Sequence, residues 1–244
     1  MEYKAQYQEY LRQATAALDA ASARFLPEES EVCRAARYSL LGGGKRIRAI
    51  LTLSVCDMLG GEMQVAAQFA AAVEMLHCYS LIHDDLPCMD NDDFRRGRPS
   101  CHKQFGESTA LLAADALVTA AFEVIAHADL PAESRVEAAA ILAKGGGARG
   151  MLYGQELDKH YETIRATEDQ LLELHRNKTG ALIIVAVELG LCDGLPDCRR
   201  NRSGNRGVPW FCKASGACIP DRGRHPRCDL YHRRAGQARR QRCR

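Results

Sequence analysis

No stretch of this 244-residue sequence approaches the ~20 consecutive apolar residues that a membrane-crossing helix needs. The opening Met1-Glu2-Tyr3-Lys4 is too polar for a secretory leader. This reading predicts no membrane span and a cytoplasmic setting. Strictly alternating runs of β-branched and aromatic residues are missing too, which argues against a β-rich fold. Collagen, mucin and disulfide-miniprotein compositions are all excluded by 46% hydrophobic and 26% charged residues, the balance of an ordinary soluble chain.

What is present is helix after helix. From Tyr3 to Phe25, apolar positions such as Tyr7, Tyr10, Leu11, Ala14 and Leu18 recur at spacings of three and four, and Pro27 closes the segment. Similar periodicity predicts helices over 31–41, 47–59, 63–84, 107–128, 132–153 and 168–189. Gly42-Gly43-Gly44, Gly60-Gly61, Pro87, Gly97, Pro99, Pro131 and Gly190 fall between the periodic runs. The predicted class is all-α, and the abundant alanine suits it through high helix propensity and small volume at helix contacts.

Charge divides the chain near residue 190. Residues 1–190 carry 19 Lys+Arg and 27 Asp+Glu, a net of −8. Residues 191–244 carry 14 basic and 4 acidic residues, a net of +10, together with six of the eleven cysteines and the single Trp210. Periodicity stops there, so 1–190 reads as a helical domain and 191–244 as a basic Cys/Arg/Pro-rich tail without regular structure. The spacings Cys192-x5-Cys198 and Cys212-x5-Cys218 do not suit zinc, and no nucleic-acid module or stacking pattern accompanies the arginines.

The chemistry concentrates in Leu81–Gly97. Asp84, Asp85, Asp90, Asp92 and Asp93 lie within ten residues at the end of an otherwise apolar helix that Pro87 interrupts. Such a cluster is either a solvated acidic loop or a cation site. Mg2+ takes one or two carboxylates and completes its shell with water and phosphate oxygens. Arg95 and Arg96, just downstream, offer the forked donors that hold phosphates, so acids, cation and arginines together describe a diphosphate site. The spacing of a calcium-binding EF-hand is absent. Gly43-Gly44-Lys45-Arg46-Ile47-Arg48 adds backbone amides and three cations at a loop-to-helix junction, without the spacing of a Walker loop. Asn177-Lys178-Thr179-Gly180 is a third polar group inside an apolar helical stretch. Cys33, Cys56, Cys78, Cys88 and Cys101 lack paired spacing and read as thiols, and His83 reads as a hydrogen-bonded neighbour of the acids rather than a ligand.

These segments, with Gly106-Glu107, Ala114-Asp115-Ala116-Leu117 and Gly154-Gln155, resemble in order the successive motifs of the trans-polyprenyl diphosphate synthases of the bacterial farnesyl, or geranyltranstransferase, type. The resemblance covers about 180 residues. It implies the isoprenoid synthase fold, a helical bundle around a central cavity, and condensation of isopentenyl diphosphate with an allylic diphosphate. It further implies that Lys45, Arg48, His77 and Arg96 hold isopentenyl diphosphate, that Asp84 and Asp90 bind Mg2+ with Asp85 in support, that Arg95, Lys178 and Thr179 face the allylic diphosphate, and that Gln155 borders it. A homodimer is implied as well. By the same resemblance Tyr79, five positions before Asp84 and next to the small Ser80, stands where family members making short products carry an aromatic ring, which implies a C15 product.

One motif of that family, a second aspartate-rich Asp-Asp-x-x-Asp after the Lys-Thr segment, is missing. Codons compatible with Cys218–Asp229, read one base later, can encode Ala-Phe-Gln-Ile-Val-Asp-Asp-Ile-Leu-Asp-Val-Thr, which contains it. The sequence therefore suggests a shifted reading frame after about residue 190, with the C-terminal helices missing or replaced and synthase activity impaired. The alternative is a non-catalytic binding or regulatory subunit of a heteromeric prenyl synthase.

Overall fold

The computed structural model describes residues 3–194. The remainder of the basic segment, with the shifted-frame stretch Cys218–Asp229, lies outside the described residues. In chain order the elements are α1 (Tyr3–Phe25), α2 (Glu31–Leu40), α3 (Ile47–Leu59), α4 (Met63–Asp84), β1 (Phe94–Arg95), β2 (Arg98–Pro99), α5 (Cys101–Phe105), α6 (Glu107–Ala126), α7 (Ala132–Gly146), α8 (Met151–Tyr161), α9 (Glu168–His175), a π-helical turn (Arg176–Gly180) and α10 (Ala181–Gly194).

The all-α expectation holds apart from a two-residue ribbon. Phe94 pairs with Pro99 and Arg95 with Arg98, and the joining residues Arg96 and Gly97 both have positive φ, 53° and 76°. A two-residue hairpin turn of this kind requires that conformation, which glycine adopts without strain. Two expected helices are each divided. The predicted 132–153 helix breaks at Gly145-Gly146-Gly147, and α8 then continues to Tyr161. The predicted 168–189 helix is interrupted by the π turn, and α10 extends to Gly194. The second break carries Lys178 and Thr179 of the candidate site, and the first starts α8, which carries Gln155.

α4 runs through the centre, packed against α6, α3, α1 and α10. Its Ala66, Ala70, Ala71 and Ala72 are fully covered, and Phe69, Val73 and Met75 fill the space between the neighbouring helices. A helix enclosed on all sides needs no polar stripe, so α4 carries apolar residues around its whole circumference. The expectation that no segment is apolar enough to span a bilayer is corrected accordingly. By length and composition, α4 and α6 both qualify. In this fold they pack on each other as core helices, and Leu117, Ala121 and Ile125 of α6 are fully buried.

α10 closes the bundle against α3. A Cβ on Gly190 would lie 2.6 Å from the Thr52 carbonyl oxygen, so the two helices touch backbone to backbone. The Thr52 hydroxyl donates to the Ala186 carbonyl at 3.0 Å across the same seam.

Candidate active site

The end of α4 organises one half of the site. After Asp84 the chain coils through Pro87-Cys88 and returns, so the Asp90 amide donates to the Asp84 carbonyl at 2.8 Å, and the Met89 and Asn91 amides both donate to Leu86. Asp90 thus comes back beside Asp84 although six positions separate them. Asp84 is 8% exposed and Asp85 only 2%. Burial pushes the Asp84 carboxyl up to about 6, outweighing the Lys178 ammonium 4.0 Å away. One of its oxygens, Oδ1, is buried with no hydrogen-bond partner among the described residues.

The hairpin sends neighbouring arginines to different places. Arg95 donates from Nε to both Asp85 oxygens at 3.0 and 3.2 Å, with a further bond from Nη2. Arg96 instead donates to the Gly43 carbonyl and lies against Gly44, where a Cβ would stand 2.9 Å from the guanidinium carbon. Gly44 also has φ 128°, and it is this backbone conformation that needs glycine, since the guanidinium of Arg96 could shift. Tyr38 of α2 anchors the ribbon by donating to the Pro99 carbonyl at 3.0 Å and by supporting Arg98 over its ring.

The basic half sits at the start of α3. Arg46, just before α3, is buried and left-handed. Its guanidinium is held by Glu74 at 3.3 Å and by the Leu40 carbonyl at 2.5 Å. Glu74 also accepts from the Ala49 amide at 3.3 Å, so a carboxylate on α4 satisfies a first-turn donor of α3. Arg46 is therefore a structural residue that fixes the direction of α3. Arg48 follows, partly buried, with its Nε unpartnered among the described residues and its basicity lowered by burial. His77 of α4 is held at about 3, first by burial and then by the positive charges of Arg48 and Arg96, so it is neutral near pH 7. Lys45 stands apart from these groups. It is exposed and lines a groove of about 770 Å³ between α1 and α3 with Tyr7, Tyr10 and Ile50.

A second cavity, about 210 Å³, lies beside Asp84. Tyr79, Ser80, His83, Leu86, Met89, Leu111, Met151 and Gln155 line it, and almost all of its wall is apolar. Tyr79 is 6% exposed and its ring meets His83 edge-on at 5.5 Å. The Nε2 of His83 is buried without a partner among the described residues, so the expected hydrogen bond to an acid does not form at that atom. Ser80 donates back to the His77 carbonyl at 2.8 Å. The Gln155 Nε2 is also unpartnered.

α8 and the π turn supply the opposite wall. A Cβ on Gly154 would lie 2.5 Å from the Lys178 Cα, so these segments pack backbone on backbone. π turns often occur at functional sites, and this one carries Lys178 to Asp158, to which it donates, and near Asp84. Thr179 is exposed on the same turn. Asp158 and Lys159 escaped the sequence reading. The signal was available, since they follow Gln155 by three and four residues on one helix and so share its face.

Among the described residues no three His, Cys, Asp or Glu side chains converge as a metal cluster. A Mg2+ site needs no such cluster, because one or two carboxylates suffice when phosphate completes the shell. The buried, unpartnered Oδ1 of Asp84 beside Asp90 fits that requirement.

Comparison with known proteins agrees with this geometry. The family model described as Polyprenyl synthetase matches residues 29–195. A farnesyl diphosphate synthase from Micrococcus luteus is 47% identical over 164 residues, covering 67% of this chain and 56% of that protein. Geranylgeranyl pyrophosphate synthase 4 from Arabidopsis thaliana is 45% identical over 172 residues, covering 69% and 46%. The crystal structure of a geranyltransferase from Legionella pneumophila superposes with a TM-score of 0.75 at 40% identity, covering 78% of this chain and 68% of that one. The chain spans about half the length of the curated relatives it matches. With two thirds of its residues inside the family match and the isoprenoid synthase architecture shared, the chain belongs to the polyprenyl synthetase family.

Proposed function

We propose that this site belongs to a Mg2+-dependent prenyltransferase that condenses isopentenyl diphosphate with dimethylallyl or geranyl diphosphate to give farnesyl diphosphate. The observation that carries this reading is the pairing of a buried Asp84 oxygen, unpartnered among the described residues, with an apolar cavity lined in part by Tyr79. Asp84 and Asp90 would hold Mg2+, whose charge stabilises the departing diphosphate when bound.

The remaining work falls to this chain's own residues. Lys178, Arg95 and Thr179 reach the allylic diphosphate, and Gln155 orients it at the cavity mouth. Arg48 and Arg96 hold isopentenyl diphosphate, and Lys45 joins them by turning out of the groove between α1 and α3 that it lines here. His77, neutral near pH 7, contributes a hydrogen bond and no charge. The apolar wall excludes water, so the allylic cation meets the double bond of isopentenyl diphosphate instead. A proton then leaves the adduct for the released diphosphate, and no side-chain nucleophile is needed. Tyr79 and Ser80 set the C15 length. The complete enzyme works as a cytoplasmic homodimer.

The 244-residue chain itself is impaired, because its sequence lacks the second aspartate motif. Losing one preorganised electrostatic contact commonly costs about 10²–10³ in rate. The purified chain, assayed with geranyl and isopentenyl diphosphates and Mg2+, is expected to show under about 1% of the turnover of a version with its frame restored after codon 190. Comparable turnover by both would refute the impairment. An inactive restored chain that folds would refute the synthase reading. The non-catalytic subunit gives no reason for an unpartnered buried carboxylate at a cavity mouth.

A further inference from the structure

Asp84 and Asp90, the two carboxylates assigned to the cation, are in unequal states. Asp84 keeps a buried oxygen without a partner among the described residues. Asp90 already has a cation, because the Lys159 ammonium donates to its Oδ1 at 3.4 Å, to the adjacent Met89 carbonyl at 3.1 Å and to Glu162 at 2.7 Å. Lys159 is not a loose surface side chain, since it is 28% exposed and reaches from α8 across to the coil after α4. Its neighbour Asp158 holds Lys178 in the same way. Two adjacent residues of opposite charge on α8 thus take up one acid and one base of the site, leaving it self-neutralised.

We propose that Lys159 is a resident counter-ion that competes with the divalent cation for Asp90 and so sets how much Mg2+ the site requires. This inference rests on the reading of Asp84 and Asp90 as the cation ligands. The physics is direct. An ammonium and a divalent cation at one carboxylate repel each other, and the incoming ion must displace Nζ from its contacts with Asp90 and Met89. Glu162 is the seat to which Lys159 withdraws, since that carboxylate makes its shortest contact and lies three positions on, just past the end of α8. Lys159 is a positioning residue, acting through Asp90 and not on the substrate.

The test is binding of Mn2+ to the full 244-residue chain without substrate, followed by electron paramagnetic resonance. Lys159→Met is expected to tighten Mn2+ about three- to tenfold, the range for a partly exposed charge contact. Lys159→Gln, which keeps a polar side chain, should do the same if the methionine variant folds poorly. Lys159→Arg should restore wild-type affinity, and Glu162→Gln should weaken Mn2+ binding because Lys159 then has only the Asp90 side to occupy. Unchanged or weaker binding in both neutral variants, while Asp90→Asn still lowers affinity, would overturn the role of Lys159 and leave the proposed function standing. If neither Asp84→Asn nor Asp90→Asn alters Mn2+ binding, the inference and the ligand assignment beneath it both fall.

Discussion

Arg95 grips Asp85 through three hydrogen bonds, while the carboxylate itself is almost wholly withdrawn from solvent. The contact raises the basicity of Arg95, so the guanidinium stays charged beside the aspartate coil. It also explains how three acids share one coil: Asp85 is paired with Arg95, Asp90 with Lys159, and Asp84 faces Lys178 at 4.0 Å.

Arg95→Ala would strand Asp85 as a buried, unpartnered charge. The expected loss is about 2–3 kcal/mol in urea unfolding. The double variant Asp85→Asn with Arg95→Gln should recover part of it, because neither partner is then charged. A loss below about 0.5 kcal/mol would mark the pair as an ordinary surface contact.

Gly154→Ala should push α8 away from the π turn, since the new Cβ meets the Lys178 backbone and not a yielding side chain. Overpacking of this kind costs about 1–3 kcal/mol. Thermal unfolding checks the stability, and weakened binding of inorganic pyrophosphate would show that Lys178 has lost its place.

His77 makes folding sensitive to acid. Its folded pKa is about 3 against 6.5 for a free histidine, so between those values the unfolded chain binds the extra proton. Stability is therefore full above pH 6.5 and falls as pH drops towards 3, by up to ~1.4 kcal/mol per pH unit. His77→Asn should flatten that limb of the curve, measured by urea unfolding at pH 7 and pH 5. An equally steep acid limb in the variant would assign it to other groups.

Tyr79→Ala removes a ring from the lining of the apolar cavity. In a frame-restored enzyme the products should shift from C15 to C20 or longer, read by mass spectrometry of the dephosphorylated alcohols. An unchanged C15 product would remove Tyr79 from length control.

Most helices were legible because their apolar spacing is regular and glycine or proline stands at their ends. The aspartate coil, the Gly43-Gly44 loop and the Lys178 segment were legible as chemistry, since acids, cations and glycines cluster there against an apolar background. That Arg95 turns onto Asp85 while Arg96 turns onto the Gly43 carbonyl was not, because it depends on a hairpin of only two paired residues on each side. The structural role of Arg46 was equally hidden, as its partner Glu74 lies 28 positions away. Lys178 read as part of a continuous helix, and the π turn that redirects it is set by the close approach of Gly154 on another element. Sequence periodicity carries no trace of such an approach.

The seam between α3 and α10 has a bearing on synthesis. Thr52 and Ala186 are 134 positions apart, and translation at 5–20 residues per second places about 7 to 27 s between them. During that interval the face of α3 around Thr52 and Val55 waits, exposed, for a helix not yet made. A nascent chain of this family is thus a candidate for chaperone capture until α10 emerges.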